Sequence, residues 1–105
     1  MFAPAYTNWG YAFAAQQKYG EAIDKFQRAI ELDPTYTRAY VAWGAALVEQ
    51  GRTSEGGTKF QKAIDLDPMN APAWYKLWGL LLAEKGKNDE ATAKFRIAKE
   101  LLRAR

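Results

Sequence analysis

The stretch Phe26-Gln27-Arg28-Ala29-Ile30-Glu31-Leu32-Asp33-Pro34 returns as Phe60-Gln61-Lys62-Ala63-Ile64-Asp65-Leu66-Asp67-Pro68, an offset of 34 residues. A worn third copy, Phe95-Arg96-Ile97-Ala98-Lys99-Glu100-Leu101-Leu102, follows after 35 more. Trp9-Gly10, Trp43-Gly44 and Trp78-Gly79 keep the same spacing, each Trp preceded at three residues by Tyr6, Tyr40 or Tyr75. Self-similarity at such a period means a stack of identical supersecondary units that bury a shared core by neighbouring one another. A stack of this kind offers grooves and faces rather than a deep pocket, so binding is expected before catalysis.

Cutting on these markers gives repeats 3–36, 37–70 and 72–105 of one domain spanning 1–105, with Ala71 as the single extra residue. Each unit reads as two helices. Tyr40, Trp43, Gly44, Leu47 and Val48 fall on one face of a 3.6-residue period. Gly51 then offers the left-handed conformation that ends a helix, and Thr53 or Ser54 is expected to cap the next one. Phe60, Ala63 and Ile64 form the second apolar face, and Asp67-Pro68 closes the unit because the residue before proline leaves helical geometry. In the third unit Gly86 is the stop and Asn88 or Asp89 the expected cap. Short turns make neighbouring helices antiparallel. The fold class is therefore all-α, six helices in three stacked hairpins.

Two irregularities carry expectations of their own. Gly56-Gly57 occupies the place of alanine, so the second helix of unit two is expected to be the weakest. The extra residue near Ala71 requires either a longer connection over 69–72 or a one-residue bulge between Trp74 and Trp78, and the connection is favoured because loops absorb insertions more readily.

Composition narrows the chemistry. The chain has no histidine and no cysteine, which removes the usual nucleophile–base pairs, thiolate ligands and disulfides. Ser54, the only serine, sits at a helix start, and Asp33 and Asp67 repeat with the structure as turn residues. No catalytic residue, metal site or cofactor is expected. The apolar runs fall far short of the ~20 residues of a membrane span, and no secretory leader is visible, which leaves the compartment open with the cytoplasm favoured. Residues 72–105 carry eight basic against four acidic side chains, with Lys94, Arg96, Lys99, Arg103 and Arg105 crowding the last helix. Such a patch can meet phosphate, but cations at a helix C-terminus are the simpler reading, and RNA contact ranks below protein binding.

These units resemble tetratricopeptide repeats over essentially the whole chain. The resemblance rests on Tyr6, Gly10, Phe13, Ala22, Phe26, Ala29 and Pro34 in unit one. Unit two matches through Tyr40, Gly44, Leu47, Phe60, Ala63 and Pro68, and unit three through Tyr75, Gly79, Leu82, Ala91, Phe95 and Ala98. It implies a right-handed α-solenoid whose first helices line a concave groove for a partner peptide or helical segment. The groove positions so implied are Thr7, Asn8, Tyr11, Arg38, Val41, Ala45, Val48, Glu49, Lys76 and Leu80. The lysine and asparagine set with which some members clamp acidic chaperone tails is largely missing, with Thr7, Tyr11, Val41 and Ala45 in its place. The expected partner is a protein segment with an apolar or amphipathic face. The chain also stops at Leu101-Leu102 inside the last helix, which implies a piece of a longer repeat protein, or a homo-oligomer stacking through its ends.

Overall fold

The computed structural model describes residues 2–104, so that Met1, and Arg105 of the basic last helix, lie outside the described residues. Six α-helices follow one another: α1 Ala3–Ala15, α2 Tyr19–Leu32, α3 Thr37–Glu49, α4 Thr53–Leu66, α5 Ala71–Glu84 and α6 Asn88–Arg103. Consecutive helices pair as hairpins α1–α2, α3–α4 and α5–α6, and no strand occurs among the described residues.

The turn inside each hairpin is built three times in the same way. The amides of Gln17, Gly51 and Gly86 donate to the carbonyls of Ala14, Val48 and Ala83, and the next amides, of Lys18, Arg52 and Lys87, donate to Phe13, Leu47 and Leu82. This paired closure requires a left-handed residue at its centre. Gly51 and Gly86 meet the need at φ 84° and 78°, and unit one places Gln17 there at φ 63°. Lys18, Arg52 and Lys87 then begin the next helix through their carbonyls, which accept from Ala22, Gly56 and Ala91. The expected side-chain caps are therefore absent among the described residues: Thr53 and Asn88 are already helical, and no capping side chain accepts from the first amides of α4 or α6. A three-residue turn uses one residue both to finish one helix and to open the next, leaving no separate capping position.

Asp33 and Asp67 serve the turns between units. Asp33 Oδ1 accepts from the Thr35 amide at 3.0 Å and the Thr35 hydroxyl at 2.7 Å, and Asp67 Oδ2 accepts from Asn70 at 2.8 Å. The extra residue of unit three falls within 69–72, as favoured, with no bulge between Trp74 and Trp78, but it is added as helix and does not lengthen the connection. Four residues separate α4 from α5, as they separate α2 from α3, and Pro68–Asn70 folds as a 3-10 turn. Helix α5 runs unbroken from Ala71 and is one residue longer than α3, at 14 against 13. The addition lies in its first turn, where Pro72 is tolerated.

Inside each hairpin an aromatic and a cation repeat. Tyr6 stacks on Trp9, Tyr40 on Trp43 and Tyr75 on Trp78 at 6.0, 6.4 and 5.9 Å between centroids. Lys25, Lys59 and Lys94 lay their ammonium groups 3.9 Å over the same three indoles, a contact worth roughly 0.5–1 kcal/mol at exposed sites.

The two glycines of α4 carry contacts and leave the helix continuous. A Cβ on Gly56 would lie 2.7 Å from Val48 Cγ2 and 2.8 Å from the Gly44 carbonyl oxygen, and one on Gly44 would lie 2.9 Å from the Gly56 oxygen. The backbones of α3 and α4 thus cross in direct contact. In the other hairpins the corresponding pairs are Ala14 with Ala22 and Ala83 with Ala91, so the larger Val48 faces glycine and alanine faces alanine. Gly57 admits Trp78: a Cβ there would meet its Cζ2 at 2.7 Å. Trp78 is 9% exposed and stacks on Phe60 at 5.4 Å with ring planes 9° apart. At the first junction the position of Gly57 is Ile23, which packs with Ala42, Ala46 and Leu47. The α2–α3 junction is closely packed along its length, and the α4–α5 junction is more open.

Candidate partner-binding groove

Helices α1, α3 and α5 lie side by side and form the wall that the sequence reading assigns to a partner. A cleft of about 450 Å3 runs between them, with Tyr11 from α1, Arg38 and Val41 from α3, and Trp74 and Leu77 from α5. Tyr36, Asp67 and Asn70 of the turns between units form its rim. A second cleft of about 290 Å3 continues past Tyr11 toward the other end of the helices, lined by Ala14, Ala42, Ala45, Glu49 and Leu81. The combined surface is apolar at its centre and polar at its edges.

Tyr11 is the residue common to both clefts. Its ring stands edge-on to Phe26 at 5.7 Å and 64° and keeps 40% of its surface exposed. Burial pushes its phenol above the ordinary value of 10.0, the Arg38 charge pulls against that, and Tyr36 adds a smaller upward effect. Arg38 is exposed and forms no ion pair among the described residues. Glu49 is held at the far end: Lys85 Nζ donates to its backbone carbonyl at 3.1 Å and lies 3.6 Å from its carboxylate, tying the end of α3 to the end of α5.

The ten positions implied by the resemblance separate into groups. Tyr11, Arg38, Val41, Ala45 and Glu49 line the two clefts. Thr7 and Val48 do not face a partner, since both have no exposed surface. The Thr7 hydroxyl donates to the Ala3 carbonyl at 2.9 Å, and Val48 sits against the glycine crossing and belongs to the core with Phe60 and Trp78. Asn8 is exposed on α1 at the register of Ala42 and Leu77, which is the side turned away from unit two. Lys76 and Leu80 are exposed on α5 but line neither cleft, because they face past the groove toward the end of the stack. Leu77, also at a register implied by the resemblance, lines the first cleft, whereas Trp74 and Tyr36 line it without having been expected there. Trp74 was marked in the sequence by the ambiguous register around the extra residue, and Tyr36, just before α3, carried no periodic signal.

Among the described residues no three histidine, cysteine or carboxylate side chains gather as a metal site. Nor is any helix among the described residues long and apolar enough to cross a membrane.

Comparison with known proteins bears on the architecture. A family model described as TPR repeat matches residues 10–51, and one described as tetratricopeptide repeat matches residues 41–104. The chain belongs to the tetratricopeptide repeat family. Among solved tetratricopeptide structures, MamA is 32% identical over 94% of this chain and 57% of its own, with a TM-score of 0.78. This chain therefore spans little more than half the length of MamA. SycD, a type III secretion translocator chaperone of Yersinia enterocolitica, is 21% identical over 95% of this chain and 75% of its own, with a TM-score of 0.78. Another SycD structure holds a peptide of the translocator YopD, at 21% identity over 93% and 74% and a TM-score of 0.76. No curated protein sequence matches the chain.

Proposed function

We propose that this tetratricopeptide chain is a protein-interaction scaffold whose concave groove takes a peptide or helical segment of a partner. The observation that carries the reading is the convergence of Tyr11, Arg38, Val41, Trp74 and Leu77 from three helices on one open cleft. Apolar side chains of a segment would cover the aromatic and aliphatic floor, where burial yields about 25 cal/mol per Å2. An acceptor on the segment, a carboxylate or a helix C-terminal carbonyl, would meet the Arg38 guanidinium, whose planar fork suits paired acceptors. The SycD complex shows that this fold can hold a peptide in that protein, and at 21% identity the likeness extends to the architecture only. The chemistry proposed here rests on this chain's own residues.

Arg38→Glu tests the groove. Arg38 is exposed, so the unfolding free energy should change by no more than about 0.5 kcal/mol. Affinity for the partner segment, measured by titration calorimetry, should fall at least about tenfold through loss of one attraction and gain of one repulsion. Wild-type affinity in the Arg38→Glu chain refutes the assignment.

A further inference from the structure

The three helices that build the groove do not stand equally high. Ala42, Ala45 and Ala46 of α3 become Leu77, Leu80 and Leu81 one unit on, and one unit back the place of Ala45 belongs to Tyr11. The middle helix is thus low between two taller neighbours. The smaller cleft, of about 290 Å3, lies over this step, with Tyr11 of α1 and Leu81 of α5 as walls and the three alanines as its floor. Tyr11 is held upright as a wall by its edge-on contact with Phe26. A methyl group has no rotamer by which it could swing into the space, so nothing on the floor can close the hollow.

The polar chemistry of the hollow is equally restricted. Among the described residues Glu49 is the one charged side chain on its lining. Lys85 directs its hydrogen bond to the Glu49 backbone carbonyl at 3.1 Å and stands farther, 3.6 Å, from the carboxylate. The lysine therefore holds the end of α3 in place and leaves the carboxylate able to accept, since an ionised carboxylate has about four lone-pair sites. The site asks for a large apolar body that ends in a donor.

We infer that this hollow is the anchor of the groove and that it takes one tryptophan side chain of the partner segment. The inference rests on the groove reading above and adds to it the residue type that the groove selects. Indole combines a large flat apolar body with one N–H donor and no acceptor. Its rings cover the alanine methyls between Tyr11 and Leu81, and its N–H donates to the Glu49 carboxylate. Phenylalanine covers the same floor but brings no donor to Glu49, and tyrosine brings a donor on a smaller body. Leucine leaves part of the hollow empty, and the lining there loses its contacts.

The test uses small probes in place of the partner. The chain, with its alanine methyls isotopically labelled, is titrated by NMR with N-acetyltryptophanamide, its 1-methylindole analogue, and the matching phenylalanine and tyrosine amides. The tryptophan amide should shift the methyl signals of Ala42, Ala45 and Ala46 in a saturable way. It should bind about threefold or more tightly than each of the others, the factor that one hydrogen bond supplies. Ala45→Leu installs the residue that unit three carries at this register; it should abolish the shifts at Ala42 and Ala46 while the circular dichroism stays that of the parent. Glu49→Ala should lower the tryptophan amide to the affinity of its 1-methyl analogue. Arg38→Glu should leave the probe's affinity unchanged, since Arg38 does not line this hollow. A wrong anchor and a wrong groove reading therefore give different results: the first loses the probe, and the second keeps the partner on the Arg38→Glu chain. No saturable shift of these methyls up to the solubility limit of the probe overturns the inference. Equal binding of the tryptophan and phenylalanine amides overturns it too, as does undiminished binding to the Ala45→Leu chain.

Discussion

The pairing of Val48 with Gly56 predicts that a substitution which looks favourable will destabilise the chain. Gly56 lies inside α4, and Ala22 and Ala91 hold its place in the other hairpins. On helix propensity alone, Gly56→Ala should stabilise by about 1 kcal/mol. The new Cβ, however, would sit 2.7 Å from Val48 Cγ2 and 2.8 Å from the Gly44 carbonyl oxygen. Val48 has no exposed surface into which it could turn, and the second obstacle is backbone. Overpacking of this kind costs about 1–3 kcal/mol, so the net effect is a loss of about 1 kcal/mol. Val48→Ala removes two buried methyl groups and should cost about 2 kcal/mol with its cavity. The double variant restores the alanine pair of the first and third hairpins and lets α3 and α4 take the spacing those hairpins use. Its stability should lie within about 1 kcal/mol of the parent, a coupling of at least about 2 kcal/mol where distant sites add to within about 0.5. Urea unfolding followed by far-UV circular dichroism on the four proteins measures the cycle. Additive single effects, or a Gly56→Ala chain more stable than the parent, would refute the steric reasoning.

Gln17→Gly should stabilise by about 0.5–1 kcal/mol, because Gln17 stands at φ 63° where the other hairpins use glycine; a lower unfolding midpoint would contradict this. Gly57→Ala should expel Trp78 from its stack on Phe60 and cost about 1–2 kcal/mol net of helix propensity, read as loss of near-UV dichroism. The Tyr11 phenol, raised by burial, stays neutral in the folded chain at a pH where the unfolded chain ionises. Its contribution to stability is therefore complete below pH 10.0 and is lost as pH rises through the folded value. Arg38→Gln removes the opposing charge and should move Tyr11 higher still in a tyrosine-labelled NMR titration; a downward movement would show that Arg38 does not act on it.

The period of 34 residues made the helices legible, because Pro34, Pro68, Gly51 and Gly86 punctuate every unit at fixed phase. What the period could not convey was which neighbours the helices meet. Thr53 and Asn88 looked like caps by residue type, yet a three-residue turn closed by backbone amides has no position for a cap. Gly56 and Gly57 looked like weak points by propensity, and their meaning lies in Val48 and Trp78, distant by pattern and adjacent in space. The groove was half legible. Tyr11, Arg38 and Val41 follow from register, whereas Thr7 and Val48 share that register and point inward, because burial depends on how far each helix is rotated against the next. Trp74 stands at the place of Ala39 in α3, a substitution particular to unit three that the repeat pattern does not convey.

The seat of Trp78 over Gly57 also fixes how the third hairpin is hung. On the concave edge of the α4–α5 junction lies the groove with Trp74 and Leu77. On the opposite edge, between α4 and α6, lies a cleft of about 620 Å3 floored by Trp78 and Leu82 and lined by Ser54, Thr58, Lys87 and Glu90. Helix α5 borders both. A displacement of α5 that unseats Trp78 from Gly57 therefore alters both clefts together.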